Sequence, residues 1–526
     1  MSDLLRNARL ARPSTNALDR VLIVTGDYLD AKLWDSILHQ NTADGPKYWV
    51  EKGKKGNLLG ALQAYSAVRD DHRGGNSPIS QIVMLFGSGT RLSPFTQSLR
   101  NVKSAFPLPD GSRGSSGLTI GEAAIRSAAP LINCLRQAGF HGIVLSWGDE
   151  VLIPSKPLIA NPDTVSSADV IRFGWRKDPD KELATQKEWL QVDMATNLVV
   201  RDISRQPLDR LTEVLQSTSN PQMATFVNLG SFAATHEFLS AACDTFGKRV
   251  FDESSAANWD PYFWQALQSP SRESWDELIR YEQSASSTGL QSLLDSVPDF
   301  FEIVQHFRMA FEQRVGRPMR ISVFDFGEPY WIDAGNHAAL SRAFTDLFSD
   351  GQSGAAIRAF LGLPDSISAG ANFIADSRLP IDHKVENSIV IGTTITGKWS
   401  STQGAIVLGS NIGRIIANHG ACVIWCRVDD LRVDGPNGIA FRLDGPQHVV
   451  LGDESATTLR LGERILNLKY SHRIGNIDRY IFEKRLPGNP VSFSEAASLI
   501  KAVDPIELHR SWMARLSGER QRALTT

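Results

Sequence analysis

The apolar residues of this chain follow two rhythms, and the change between them limits the folds it can adopt. From Arg20 to about Phe348, short apolar runs alternate with stretches of helical periodicity. Val21-Leu22-Ile23-Val24-Thr25 reads as a buried strand, with a helix from Asp30 to His39 after it. A helix over Leu58 to Val68 follows Gly53, Gly56 and Asn57, and Ile82-Val83-Met84-Leu85 is a second buried strand. Glu122 to Ala138 reads as a helix stopped by Gly139, and Ile143-Val144-Leu145-Ser146 as a third strand. Ser271 to Phe311 is helical and reads as an insertion. Strands separated by helices point to an α/β fold with a doubly wound, mostly parallel sheet.

After about residue 383 apolar residues recur six apart: Val385 and Ile391, Ile389 and Ile395, Ile406 and Ile412, Ile416 and Cys422, Cys422 and Val428. Gly, Asn and Ser fall between them. A six-residue period predicts a parallel β-helix whose coils stack on one another. An ordinary antiparallel β domain is the alternative. Trp399 and Trp425 are expected at coil corners or a domain interface. From about Ser492 the chain reads as helical, and the charged run Arg515 to Arg522 as a solvated helix face. The expected division is an α/β domain over 15–380, a β-helix-like domain over 381–490 and a helical tail over 491–526.

Charge and cysteine content narrow the partners. The 526 residues hold 55 Lys and Arg against 58 Asp and Glu, a net charge of −3. Such a balance offers no basic field for nucleic acid or an anionic membrane. Cys134, Cys243, Cys422 and Cys426 show no paired zinc spacing, which fits a reducing compartment. Cys422 and Cys426 read as core-facing thiols. The eleven histidines, among them His141, His383 and His419, show no pair at metal-ligand spacing. No apolar stretch reaches about 18 residues, and the opening Met-Ser-Asp-Leu-Leu-Arg lacks a signal-peptide core. The expectation is a cytoplasmic protein. Self-association through exposed β coils is left open.

One segment carries chemistry. Directly after the Ile82 strand comes Phe86-Gly87-Ser88-Gly89-Thr90-Arg91-Leu92-Ser93-Pro94-Phe95-Thr96, and then Lys103 and Pro107. Glycines at a strand end let backbone N–H groups approach phosphate oxygens. Arg91 can fork onto phosphate oxygens, and Lys103 adds a mobile point charge. A strand-to-loop turn that merely needs positive φ is the plain alternative. The segment is neither a Walker motif nor the dinucleotide fingerprint.

This stretch resembles the Gly-Gly-x-Gly-Thr-Arg-Leu-x-Pro signature of the sugar-1-phosphate nucleotidyltransferases, with Phe86 in place of the first glycine. Trp147-Gly148-Asp149, after the third strand, resembles the family's Gly-Asp; alone, it would be a turn. Tyr330-Trp331-Ile332-Asp333-Ala334-Gly335-Asn336 resembles its Trp-x-Asp-x-Gly-Thr, with Asn336 for Thr and also placed to cap a helix over His337 to Phe348. The resemblance implies that Asp149 and Asp333 hold Mg²⁺, that Arg91 and Lys103 are catalytic, and that Gly87, Ser88, Gly89 and Thr90 bind nucleotide. Glu150 is expected to point to the other side. Phe226-Val227-Asn228-Leu229-Gly230 resembles the strand lining the sugar site, which assigns Asn228 and Gly230 to substrate. Trp189 to Pro207 resembles the hairpin ending in Glu-Lys-Pro; Gln206 holds the lysine position, so Arg205 is the substitute.

The glycine loop Gly53-Lys54-Lys55-Gly56-Asn57 precedes the signature instead of following it. A loop opening a helix can bind nucleotide from there, and Gly56 and Asn57 are the candidates. This permuted order resembles the fucose-1-phosphate guanylyltransferase branch, as does Pro261-Tyr262-Phe263-Trp264. The implied partners are a nucleoside triphosphate and a sugar 1-phosphate, with GTP and a fucose-like sugar favoured. The implied products are a nucleoside-diphosphate sugar and pyrophosphate. Two readings of other classes stand beside it: a non-catalytic nucleotide-sugar-binding regulator, and an acyltransferase using His419 in the β-helix.

Overall fold

The computed structural model describes residues 2–12, 18, 20–38, 45–53, 55–73, 79–87, 89–216, 222–252, 258–260, 262–284, 288–435 and 438–525. Ser88, Lys54, His39 and Pro261 lie outside the described residues. The chain is mixed α/β. Nine strands form one sheet in the order Lys47–Val50, Val21–Thr25, Gln81–Met84, Gly142–Trp147, Met223–Thr235, Val170–Arg176, Ile321–Asp325, Leu198–Ile203, Trp189–Asp193. The first four are parallel. Met223–Thr235 runs antiparallel to both Gly142–Trp147 and Val170–Arg176. Trp189–Asp193 and Leu198–Ile203 form an antiparallel hairpin at the edge. The sheet is therefore mixed rather than mostly parallel. The link between Asp193 and Leu198 is too short for the crossover a parallel pair needs.

Side-chain alternation covers both faces of this sheet. Val21, Ile23 and Val83 pack with Trp34, Leu38 and Ile120. Their neighbours Leu22, Val24 and Ile82 pack with Leu58, Leu62 and Phe238 on the other side. The expected helices span Tyr28–Leu38, Gly56–Arg73 and Ile120–Gln137. Gly139 follows the last of these at φ +86°. The helical insertion resolves into Arg272–Ser284, Thr288–Ser296 and Phe300–Val315.

From Phe373 the chain builds two more sheets. One stacks Phe373–Ala375, Ile389–Ile391, Ile406–Leu408, Cys422–Ile424, Ile439–Phe441 and Glu454–Leu461 in parallel. Arg464–Ser471 ends it antiparallel. The other stacks Lys384–Glu386, Ser401–Gln403, Asn411–Ala417, Arg427–Val433 and Asp444–Leu451 in parallel. Register partners Ile389, Ile406, Cys422, Ile439 and Ser455 advance by 16 or 17 residues. The six-residue spacing in the sequence instead separates the two sheets: Ile406 belongs to one and Ile412 to the other.

The two regions are tied together around the signature loop. Trp425 is buried at this junction and its Nε1 donates to Ser115 O at 2.8 Å, whereas Trp399 is exposed. Buried Arg442 donates to Ser98 O at 2.5 Å and stacks near Trp425, with burial pulling its guanidinium pKa down to about 9. A capping box formed by Ser492 and Glu495 starts the helix Phe493–Ile500. The following helix, Pro505–Thr525, carries the run Arg515 to Arg522; Arg515 is exposed, and the side chains from Ser517 on lie outside the described residues. Arg515 donates to the buried Asp444 at 3.3 Å, and Trp512 and Leu516 are buried. A carboxylate at that depth needs cations, and Arg427 and Arg460 also reach it. Among the described residues no helix is long and apolar enough to cross a membrane.

Candidate active site

Parallel strands deliver their C-terminal ends to one edge of the sheet, where ligand crevices form. There the turns after Gln81–Met84 and Gly142–Trp147 touch: Gly148 N–H donates to Met84 O at 3.1 Å. A Cβ on Gly148 would lie 1.9 Å from Leu85 Cδ2, so a side chain would force the turns apart. Gly89 is left-handed (φ +55°), and a Cβ there would lie 2.7 Å from both Lys103 Cβ and Thr96 Cγ2. That close approach brings Lys103 to Asp149, and the ammonium donates to the carboxylate.

A two-stranded ribbon supplies the second carboxylate. Tyr330–Asp333 pairs antiparallel with Glu150–Ile153, setting Asp333 opposite Glu150. Ala334 N–H donates to Asp149 O at 2.9 Å, and Gly335 N–H to Asp333 Oδ1 at 3.0 Å. Asn336 Oδ1 accepts from Ala339 N–H at 3.0 Å, capping the helix His337–Asp346 and fixing the end of this turn. A Cβ on Gly335 would lie 2.8 Å from Arg91 Nη2 and 2.8 Å from Asp333 Oδ1, so the guanidinium rests beside the carboxylate turn. Arg91 is exposed and has no ion-pair partner among the described residues.

Glu150 does not turn away. It lines a cleft of about 560 Å³ together with Asp333, because the antiparallel register holds the two side by side. Its Oε2 is buried without a hydrogen-bond partner among the described residues. Burial, and then the charges of Asp149 and Asp333, push its carboxyl well above the usual range. Lys187 also lines this cleft, with its ammonium 3.4 Å from the centre of the Trp331 ring. Burial lowers its pKa against the opposing pull of Asp333 and Glu150.

The rest of the cleft is polar and aromatic. Asn228 Nδ2 donates to Glu188 Oε2 at 2.9 Å, and Asn228 Oδ1 accepts from Gly230 N–H at 3.1 Å. Gly230 (φ +79°) lets the strand pass Trp147, whose Nε1 would lie 2.5 Å from a Cβ. Arg205 lines the cleft, while Gln206 is buried behind it. Buried Arg172 lies 2.9 Å from Asp202 and 4.3 Å from the Trp264 ring centre. Asp260 is pushed up to about 7, by burial first and the charge of Glu188 second. Asn57 lines the cleft beside Asn258. Gly56 (φ +72°) packs on Asn258, whose Oδ1 would lie 2.5 Å from a Cβ.

The residues picked from the sequence thus fall into two sets. Arg91, Lys103, Asp149 and Asp333 gather at the carboxylate turn. Asn57, Arg205, Asn228, Gly230 and Asp333 line the cleft. Gly87 and Thr90 do not line it, and a Cβ on Gly87 would meet nothing within 4 Å. Sequence reasoning missed Lys187, Glu188, Arg172 and Asp260. Only Asp260 carried a signal, because it directly precedes the Pro261-Tyr262-Phe263-Trp264 stretch already singled out.

Among the described residues no three His, Cys, Asp or Glu side chains form a metal cage. Mg²⁺, however, commonly takes one or two carboxylates and completes its shell with water and phosphate. Asp149 and Asp333 fit that pattern. A cation held by these residues would also offset the charge repulsion that adds to burial in raising Glu150. No protein-family model matches the chain, and a search of curated proteins gives no match either.

Proposed function

We propose that the chain is a sugar-1-phosphate nucleotidyltransferase. It would join a nucleoside triphosphate to a sugar 1-phosphate and release pyrophosphate. The observation that carries this reading is the convergence of Lys103 on Asp149, Asp333 against Glu150, and Arg91, without an ion-pair partner among the described residues, beside the Asp333 turn. These groups come from three separate segments, and nucleotidyl transfer needs this combination of charges.

In this reading a sugar-phosphate oxygen attacks the α-phosphorus in line as the bond to pyrophosphate breaks. No proton must leave the nucleophile, which is already an anion. Catalysis is then positioning and charge stabilisation. Lys103 offsets charge at the α-phosphate, and Arg91 meets the departing pyrophosphate. Asp149 and Asp333 hold Mg²⁺, which neutralises phosphate charge when bound. Lys187 and Arg205 receive the sugar phosphate. Asn228 and Glu188 supply a paired donor and acceptor for sugar hydroxyls, and Trp264 and Tyr262 supply aromatic surface. Asn57 and the backbone of its loop face the nucleotide. The two parallel sheets after Phe373 read as the coils of a β-helix, and the region buttresses the signature loop.

Pyrophosphate release tests the proposal. All common nucleoside triphosphates are assayed against a panel of sugar 1-phosphates with Mg²⁺, starting from GTP with a fucose-like sugar. Release with one pair and formation of the matching nucleotide sugar are expected. No release with any pair refutes the reading.

A further inference from the structure

A second cavity, of about 190 Å³, lies where the helix His337–Asp346 meets the segment around Tyr470–Ile477. It shares Arg91 with the carboxylate turn. Arg91 apart, nothing in the proposed chemistry uses this cavity. Its size is below the roughly 300–1,000 Å³ of pockets that enclose a drug-sized ligand, so a nucleotide sugar does not fit.

The lining is chemically one-sided. Among the described residues that line it there is no Asp or Glu, whereas Glu150, Glu188, Asp260 and Asp333 line the main cleft. Arg91 brings a guanidinium without an ion-pair partner among the described residues. The ten-residue helix points its N-terminal end at the cavity: Asn336, His337 and Ala338 all line it. The N–H groups of His337 and Ala338 have no acceptor among the described residues. Such a helix end attracts anions. One further turn along, Ser341 is only 7% exposed, and its buried Oγ has no hydrogen-bond partner among the described residues. A buried hydroxyl left unpaired lowers stability unless a ligand or water meets it. Asn476 and His472 complete the polar side.

The geometry points to a second anion site here, for a small phosphate oxyanion. The oxyanion would accept from the Arg91 guanidinium, the first-turn N–H groups, the Ser341 hydroxyl and the Asn476 amide. An occupant would hold Arg91 in this pocket and so withdraw it from a departing pyrophosphate. That inhibitory consequence rests on the transferase reading; the site itself does not.

Calorimetric titration of inorganic phosphate into the full chain, at constant ionic strength and without substrates, tests the site. Saturable one-to-one binding is expected. Asn476→Asp adds a like charge at an exposed position, and Ser341→Leu fills the cavity; each should weaken binding about tenfold or more. Asn476 is exposed, so its variant should melt with wild type and decides the matter if Ser341→Leu does not fold. Lys187→Ala, in the main cleft, should leave the Asn476-sensitive phosphate binding unchanged. Absence of saturable binding overturns the proposal. So does binding that Lys187→Ala abolishes and Asn476→Asp leaves intact. Because no turnover is read, failure of the transferase assay leaves this result standing on its own.

Discussion

Replacing Gly89 by alanine probes the contact on which the site's geometry depends. At φ +55° the left-handed backbone costs a non-glycine residue about 1–2 kcal/mol. The new methyl would also sit 2.7 Å from Lys103 Cβ and 2.7 Å from Thr96 Cγ2. Carbon pairs prefer roughly 3.5–4.0 Å, so two neighbours must retreat by about 1 Å. Both are tied to well-packed surroundings, and overpacking of that kind costs about 1–3 kcal/mol. If the fold resists, the loss of stability is about 2–5 kcal/mol. If the loop yields instead, Lys103 shifts from Asp149, and a misplacement near 1 Å can cost about 10²-fold in rate. Urea denaturation and pyrophosphate release, read on the same protein, capture both routes. Gly87→Ala is the control, because a Cβ there meets nothing within 4 Å and only backbone strain applies. Gly89→Ala must be worse than Gly87→Ala in stability or in rate. Equal stability within about 0.5 kcal/mol and equal activity would refute the close-approach reasoning.

Other perturbations test separate parts of the site. Arg91→Ala should lower kcat about 10²-fold or more if the guanidinium meets developing charge, as steady-state kinetics would reveal. Lys187→Met should raise KM for the sugar 1-phosphate about tenfold or more while leaving KM for the triphosphate near wild type. Equal effects on both KM values would place Lys187 elsewhere. Asp260 has a folded pKa of about 7 against its ordinary 3.8. The folded state therefore binds the extra proton between these values, and stability falls as pH rises from about 4 to about 7. Asp260→Asn removes that slope, so melting temperatures of the two proteins should converge near pH 4 and separate in favour of the variant near pH 7.

Much of this arrangement was legible in the residues, and the failures have physical causes. Val21–Thr25 is five apolar or β-branched residues in a row, and it forms the strand expected. Asn336 was readable as a cap because an Asx side chain before a helical pattern has few better uses. The hairpin from Trp189 came only through the family resemblance. Strand direction was not: an apolar run looks the same in a parallel and an antiparallel pair, so the course of Met223–Thr235 was hidden. The six-residue rhythm was real, yet it measured the step between two sheets, not the 16 or 17 residues that separate stacked strands. Lys187-Glu188 ahead of a strand looks like any solvated pair; only tertiary packing sets the ammonium over Trp331. Glu150 was misread because Asp149 and Glu150 straddle the turn where a strand begins, so simple alternation does not apply.

The most direct test compares wild type, Asp149→Asn and Asp333→Asn with the productive substrate pair. Pyrophosphate release is followed at saturating Mg²⁺, alongside thermal melting. Nucleotidyl transfer at the Asp149–Asp333 turn requires that both variants melt close to wild type and lose turnover. Near-normal release from either folded variant would contradict it.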